Sequence, residues 1–135
     1  MAKYLVDTSI LISHLRGDSV ATKFLLDESV AVSIITVAEL IQGCRNPKEL
    51  AQVRSLLADL ETLYIDYGIS NTAAKLVLDL FLSHGLKFLD AIIAATAIQS
   101  NLILKTQDAK HFKHIKNLKL ALSPAPEISP YLAKP

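Results

Sequence analysis

Short apolar runs without polar alternation recur along the chain, and each gives way to a helical repeat. Strands are predicted over Lys3 to Val6, Val30 to Ile34, Leu63 to Ile65, Leu102 to Lys105 and Leu118 to Leu122. Runs this short and this apolar suit parallel strands covered on both faces. Between them the spacing predicts helices. One spans Ser9 to Arg16, with Gly17 to end it, and a short one spans Ser19 to Asp27. Thr36 and Glu39 have the Thr-x-x-Glu spacing of a capping box, which opens a helix running to about Arg45 before Asn46 and Pro47 break it. Lys48 to Glu61 keeps Leu50, Val53, Leu56, Leu57 and Leu60 on one side. Ser70 to Leu82 turns Ala73, Ala74, Val77, Leu78 and Phe81 inward, with Gly85 beyond its end. Phe88 to Ile98 is apolar on nearly every side, so sheet, other helices or a second subunit must cover it; the sequence favours core for both of these last helices. Strands that alternate with helices in this way make an α/β fold with a parallel sheet flanked by helices.

Composition narrows the setting. The 135 residues fit one domain, 1–135, closed by a Pro-rich arm at about 123–135 that holds four of the five prolines. Hydrophobic residues make up 51% and charged residues 20%, which excludes disorder and low complexity. A net charge of +1 excludes a globally basic nucleic-acid binder but leaves room for a local patch. The lone Cys44 permits neither an internal disulfide nor a cysteine metal cage. Because MAKYLVDTS has no leader pattern and no apolar run reaches the ~18 residues of a membrane span, a cytoplasmic protein without membrane association is expected.

Of the thirteen acids, four stand where a solvated charge is unexpected. Asp7 directly follows the first strand, Glu39 sits in the first turn of a predicted helix, Asp90 is enclosed by Phe88, Leu89, Ala91, Ile92 and Ile93, and Asp108 follows the fourth strand. Each has an ordinary alternative: Asp7 and Asp108 as N-caps, Glu39 as half of a capping box, Asp90 as the charge at a helix N-terminus with Lys87 as its one local partner. Asp90 is the hardest to explain so, because ionised groups are rarely set among apolar neighbours unpaired. Taken together, the four fall at strand ends and helix starts along one sheet edge, where ligands of such sheets gather. Two carboxylates about 4 Å apart repel by about 4 kcal/mol at an effective dielectric near 20, so such a cluster needs a cation. Oxygen-only donors suit Mg²⁺ or Mn²⁺. A haloacid-dehalogenase-type phosphatase would need Asp-x-Asp where this chain has Asp7-Thr8-Ser9, and a phospho-receiver an acidic pair that is absent.

From YLVDTSILI through ITVAELIQG and LDAIIAATAI to LILKTQDAKHF, the sequence resembles the PIN-domain ribonucleases, and among them the VapC-type toxins of toxin–antitoxin pairs, over Lys3 to about Leu122. The resemblance implies a three-layer α/β/α sandwich with a central, mainly parallel sheet of four to five strands. It also implies a metal-dependent endoribonuclease that leaves 5′-phosphates, neutralised by a protein antitoxin and usually homodimeric. Carried over, Asp7, Glu39, Asp90 and Asp108 are metal-binding catalytic acids, Asp108 at the most variable position, with Ser9 and Thr106 supporting them. All four acids are present, so nothing marks a degenerate, inactive relative. The Lys110, Lys113, Lys116 and Lys119 run, with His111 and His114, is either an RNA-guiding patch or a solvated face. A non-catalytic PIN-fold module that binds RNA or protein is the competing expectation.

Overall fold

The computed structural model describes residues 1–123; the rest of the expected Pro-rich arm lies outside the described residues. Five strands form one sheet: β1 (Tyr4–Val6), β2 (Val30–Ser33), β3 (Glu61–Leu63), β4 (Ile103–Thr106) and β5 (Leu120–Leu122). Their order is β3-β2-β1-β4-β5, and every adjacent pair is parallel. Seven helices lie between them: α1 (Thr8–Leu15), α2 (Ser19–Asp27), α3 (Ile34–Gln42), α4 (Pro47–Ala58), α5 (Tyr67–His84), α6 (Phe88–Gln99) and α7 (Ala109–Phe112).

The pleat divides the core in two. Leu5 and Ala31 face one cluster, with Ile69 and Ala73 of α5, the Ala91 to Ala97 stretch of α6, Leu104 and Phe112. Their strand neighbours Val6 and Val32 face the other, with Ile10, Leu11, Ala21, Leu40 and Val53 from α1 to α4. Successive strand residues point to opposite faces, so three-residue strands suffice to anchor both layers. The lack of a polar face on α6 is thereby explained, since α5, α3, α7 and β4 all pack around it.

Two expectations are corrected. No capping box opens α3: Ser33 caps it, accepting from the Ile35 N–H at 3.0 Å, so the helix starts two residues before Thr36. Thr36 and Glu39 therefore stand one turn apart inside the helix, and Thr36 is fully buried. On α5, Asp66 caps a helix that begins at Tyr67, and only part of the expected inward face is covered. Ala73 is buried and Val77 half-buried, but Ala74, Leu78 and Phe81 are exposed, Leu78 at 81%. Periodicity places apolar residues on a face without saying what that face meets. Smaller shifts move β3 to Glu61–Leu63 and end α3 at Gln42, and Pro47 opens α4 behind an Asn46 cap.

Among the described residues, no helix is long and apolar enough to cross a membrane.

Candidate active site

The chain lays down β1, β2 and β3 in one direction across the sheet and then returns past β1 to add β4 and β5. The reversal leaves a crevice at the carboxyl ends of β1 and β4, where α/β sheets of this kind bind ligands. Asp7 follows β1, and Thr106 ends β4 with Asp108 two residues on, so both walls of the crevice carry the residues singled out from sequence.

Asp7 fills two roles. Its Oδ1 caps α1, accepting from the Ser9 N–H at 3.0 Å and the Ser9 hydroxyl at 2.5 Å. Its Oδ2 accepts from the buried Thr106 hydroxyl at 2.5 Å, a bond between residues 99 apart in sequence that ties β1 to β4. Burial pushes the Asp7 carboxyl above its ordinary range, against the Ser9 and Thr106 hydroxyls and the Ile10 and Ser9 amides that stabilise its charge. Capping α1 therefore leaves the second oxygen of Asp7 free to tie β1 to β4, so the cap does not argue against a further role for this carboxylate. Thr106 in turn accepts from the Asp108 N–H at 2.9 Å, and the Ser9 hydroxyl accepts from the Gln107 N–H at 3.1 Å.

Glu39 reaches the same edge from α3. Thr8 donates to Glu39 Oε1 at 2.5 Å, joining the first turn of α1 to the middle of α3, with buried Thr36 beside the pair. Asp108 caps the short α7 through the His111 N–H, and its second oxygen is held by the His111 imidazole Nδ1.

Asp90 differs from these three. It occupies the first turn of α6, half-buried, and among the described residues no side chain or amide donates to it. Burial raises its carboxyl above the ordinary range; His111 opposes the shift, and the charges of Asp108, Glu39 and Asp7 add to it. All three other acids thus act on Asp90, which places the four in one electrostatic neighbourhood. Among the described residues the ion pairs are Lys23–Asp27, Arg45–Glu49 and His111–Asp108. Among the described residues no lysine or arginine pairs with any of the four, and Lys87 leaves Asp90 unpaired.

The donors fit a hard divalent cation: oxygen atoms only, an excess of negative charge, and one half-buried carboxylate without a partner. Among the described residues no three His, Cys, Asp or Glu side chains already stand around a single point at ligating distance. Hydroxyls and an imidazole hold Asp7, Glu39 and Asp108 instead. Sequence reasoning missed Thr8 and Thr36. The i, i+3 spacing of Thr36 and Glu39, taken as a cap, was the available signal. Lys110, Lys113, Lys116 and Lys119 are exposed beyond Asp108, while Phe112 and Ile115 anchor the segment in the core.

Residues 4–118 match the family model of the PIN domain. The chain belongs to the PIN-domain family. This PIN domain is 36% identical over 120 residues to ribonuclease VapC10 of Mycobacterium tuberculosis, covering 85% of this chain and 90% of that protein. It is 36% identical over 126 residues to ribonuclease VapC1 of Methanocaldococcus jannaschii, covering 90% and 87%. Among solved structures it is similar to a toxin–antitoxin complex from Klebsiella pneumoniae, with a TM-score of 0.74 and 30% identity over 86% of this chain and 95% of that one. It is also similar to DNA-bound VapBC from Salmonella typhimurium, with a TM-score of 0.79 and 25% identity over 90% and 98%. The five-stranded parallel sheet between helical layers is the PIN-like sandwich expected from sequence.

Proposed function

We propose that this PIN domain is a metal-dependent endoribonuclease, the toxin of a toxin–antitoxin pair, that hydrolyses RNA phosphodiester bonds in the cytoplasm. The observation that supports the reading is that the charges of Asp108, Glu39 and Asp7 all act on Asp90 beside the β1/β4 crevice, while among the described residues no lysine or arginine pairs with any of the four. Mg²⁺ or Mn²⁺ bound by these four acids would polarise a phosphoryl oxygen and acidify a water for in-line attack. The protein's own contribution is orientation. Thr106 and Ser9 fix the Asp7 carboxylate, Thr8 fixes Glu39, and His111 fixes Asp108, so that acceptor oxygens meet the substrate already aimed. Lys110, Lys113 and Lys116 supply the positive edge along which RNA phosphates approach an otherwise acidic crevice.

An antitoxin would offset the same charge repulsion with a basic side chain, which is why one acidic bowl suits both a metal and an inhibitor. The relatives named ribonuclease and the related toxin–antitoxin assembly support this partner. The uncovered apolar positions of α5 support a homodimer, because Leu78 and Leu82 are 81% and 96% exposed and Phe81 lies exposed between them.

RNA ends sequenced after expression of the wild type beside Asp7→Asn test the reading, together with cleavage in Mg²⁺ and in EDTA. Cutting that needs both Asp7 and metal is expected. Cutting that persists in EDTA, or never appears with metal, refutes it and leaves a non-catalytic binding module.

A further inference from the structure

One pair of side chains has no part in the acid cluster. His84, the last residue of α5, and His114, just past α7, stack with ring centroids 3.6 Å apart and planes 30° from parallel. Both are exposed, and the Ser83 hydroxyl steadies the His84 ring at Nδ1, 2.8 Å away. Two exposed rings held face to face are costly in side-chain freedom, and the stack covers no core. Stacked planes present π faces rather than convergent lone pairs, so the pair is poorly shaped as a metal ligand.

Its location is informative. His114 stands three residues beyond His111, whose imidazole grips Asp108. Gly85, Leu86 and Lys87 alone separate His84 from α6, whose first turn carries Asp90. The stack therefore bridges the two segments that deliver Asp90 and Asp108. Around it the 109–119 segment carries four lysines and no acid, in a chain whose net charge is only +1. Cations beside an exposed flat ring are what single-stranded nucleic acid requires: lysines for the phosphates, a π face for a base turned out of its stack. Desolvation within the stack and the nearby charges of His84 and Lys113 lower the His114 basicity, in keeping with this use.

We infer that the His84–His114 pair is a nucleobase platform on which one base of single-stranded RNA stacks beside the scissile phosphate. The inference rests on the endoribonuclease reading and names a positioning element for its substrate. His84 and His114 orient the RNA through the base; Lys110 and Lys113 hold it through phosphates without regard to sequence.

Binding in EDTA separates this inference from cleavage. The full chain is titrated into a short fluorescent oligoadenylate and into the same ribose-phosphate chain lacking bases. The wild type should prefer the oligoadenylate by about tenfold, the scale of one stacked base. His114→Ala and His84→Ala should remove that preference, and His114→Phe, which keeps a flat ring, should retain it. Lys110→Ala should weaken both probes alike. Equal binding of the two probes by the wild type, or an unchanged preference in His114→Ala, overturns the inference. Failure of the nuclease reading shows itself separately, as absence of cutting in Mg²⁺, and leaves the base preference as measured.

Discussion

Replacing Thr106 by Val removes one hydroxyl at constant shape from the point where β1 and β4 are tied together. That hydroxyl is fully buried, donates to Asp7 Oδ2 at 2.5 Å and accepts from the Asp108 N–H at 2.9 Å. A hydrogen bond to a charged group contributes roughly 1.5–3 kcal/mol, and an amide left unpaired costs about 1–3 kcal/mol when water is excluded. The Asp108 amide is only part-buried and recovers some of this from solvent, so we expect a loss of about 3 kcal/mol. For a chain of this size that lowers Tm by roughly 10 °C. Thr106→Ser keeps both bonds and loses one methyl, about 1 kcal/mol. Thermal unfolding of the wild type, Val and Ser variants in EDTA gives the order. Metal affinity, from the Mg²⁺ dependence of cleavage, should fall about 10- to 100-fold in Val and little in Ser, because Asp7 loses the group that aims it. A Val variant that melts within a degree or two of the wild type, or a Ser variant that loses as much as Val, refutes the reasoning. In an Asp7→Asn background the Val penalty should shrink, since its charged partner is gone.

Further outcomes follow from the same geometry. Asp90→Asn should abolish cleavage and, in EDTA near neutral pH, leave Tm equal or higher. Because the folded-state pKa of Asp90 is raised, the native state binds the extra proton between the unfolded and folded values. Wild-type stability therefore falls as pH rises through that window, and the advantage of Asn should vanish below the ordinary carboxylate range; cleavage at wild-type level in this variant contradicts the assignment. Saturation with Mg²⁺ at about ten times its Kd should stabilise the wild type by about 1.4 kcal/mol and Asp90→Asn by much less, measured as a Tm shift. Thr8→Val should reduce cleavage about tenfold with little change in Tm, since it frees Glu39 at a part-buried position. Leu78→Asp on the uncovered face of α5 should convert a dimer to a folded monomer by analytical ultracentrifugation; an unchanged sedimentation coefficient would exclude that face as the interface.

Much of the fold was legible because some strands, β1 above all, end where an apolar run meets a polar residue. Asp7 and Asp108 stand just past the ends of β1 and β4, at the edge where the crevice opens. The start of α3 was not legible. Ile34 and Ile35 are β-branched and continue the strand pattern, so Thr36 looked like the first available cap, whereas Ser33 had already taken that place. The error concealed what Thr36 and Glu39 share, a position one turn apart facing Thr8 on another helix. No local pattern records a partner 28 or 31 residues away. Leu78 and Phe81 were misplaced for a different reason. An apolar stripe awaiting a second molecule and one covered by the same chain have identical spacing, and only packing separates them. Asp90 was legible through chemistry rather than pattern, as a charge with no local compensation among apolar neighbours.

The bond between Thr106 and Asp7 spans 99 residues, and this distance governs when the protein becomes dangerous to its maker. Until Ile103 to Asp108 has left the ribosome, β1 is an edge strand, and the nascent chain has only one wall of its crevice. At about 5–20 residues per second, the 99 residues between Asp7 and Thr106 take roughly 5–20 s to make, and the harmless interval lasts at least that long. A fragment released early by stalling or proteolysis is disarmed in the same way, so quality control needs no antidote for incomplete copies. Once β4 has joined β1 both walls of the crevice exist, and that is the step before which an inhibitor must already be waiting.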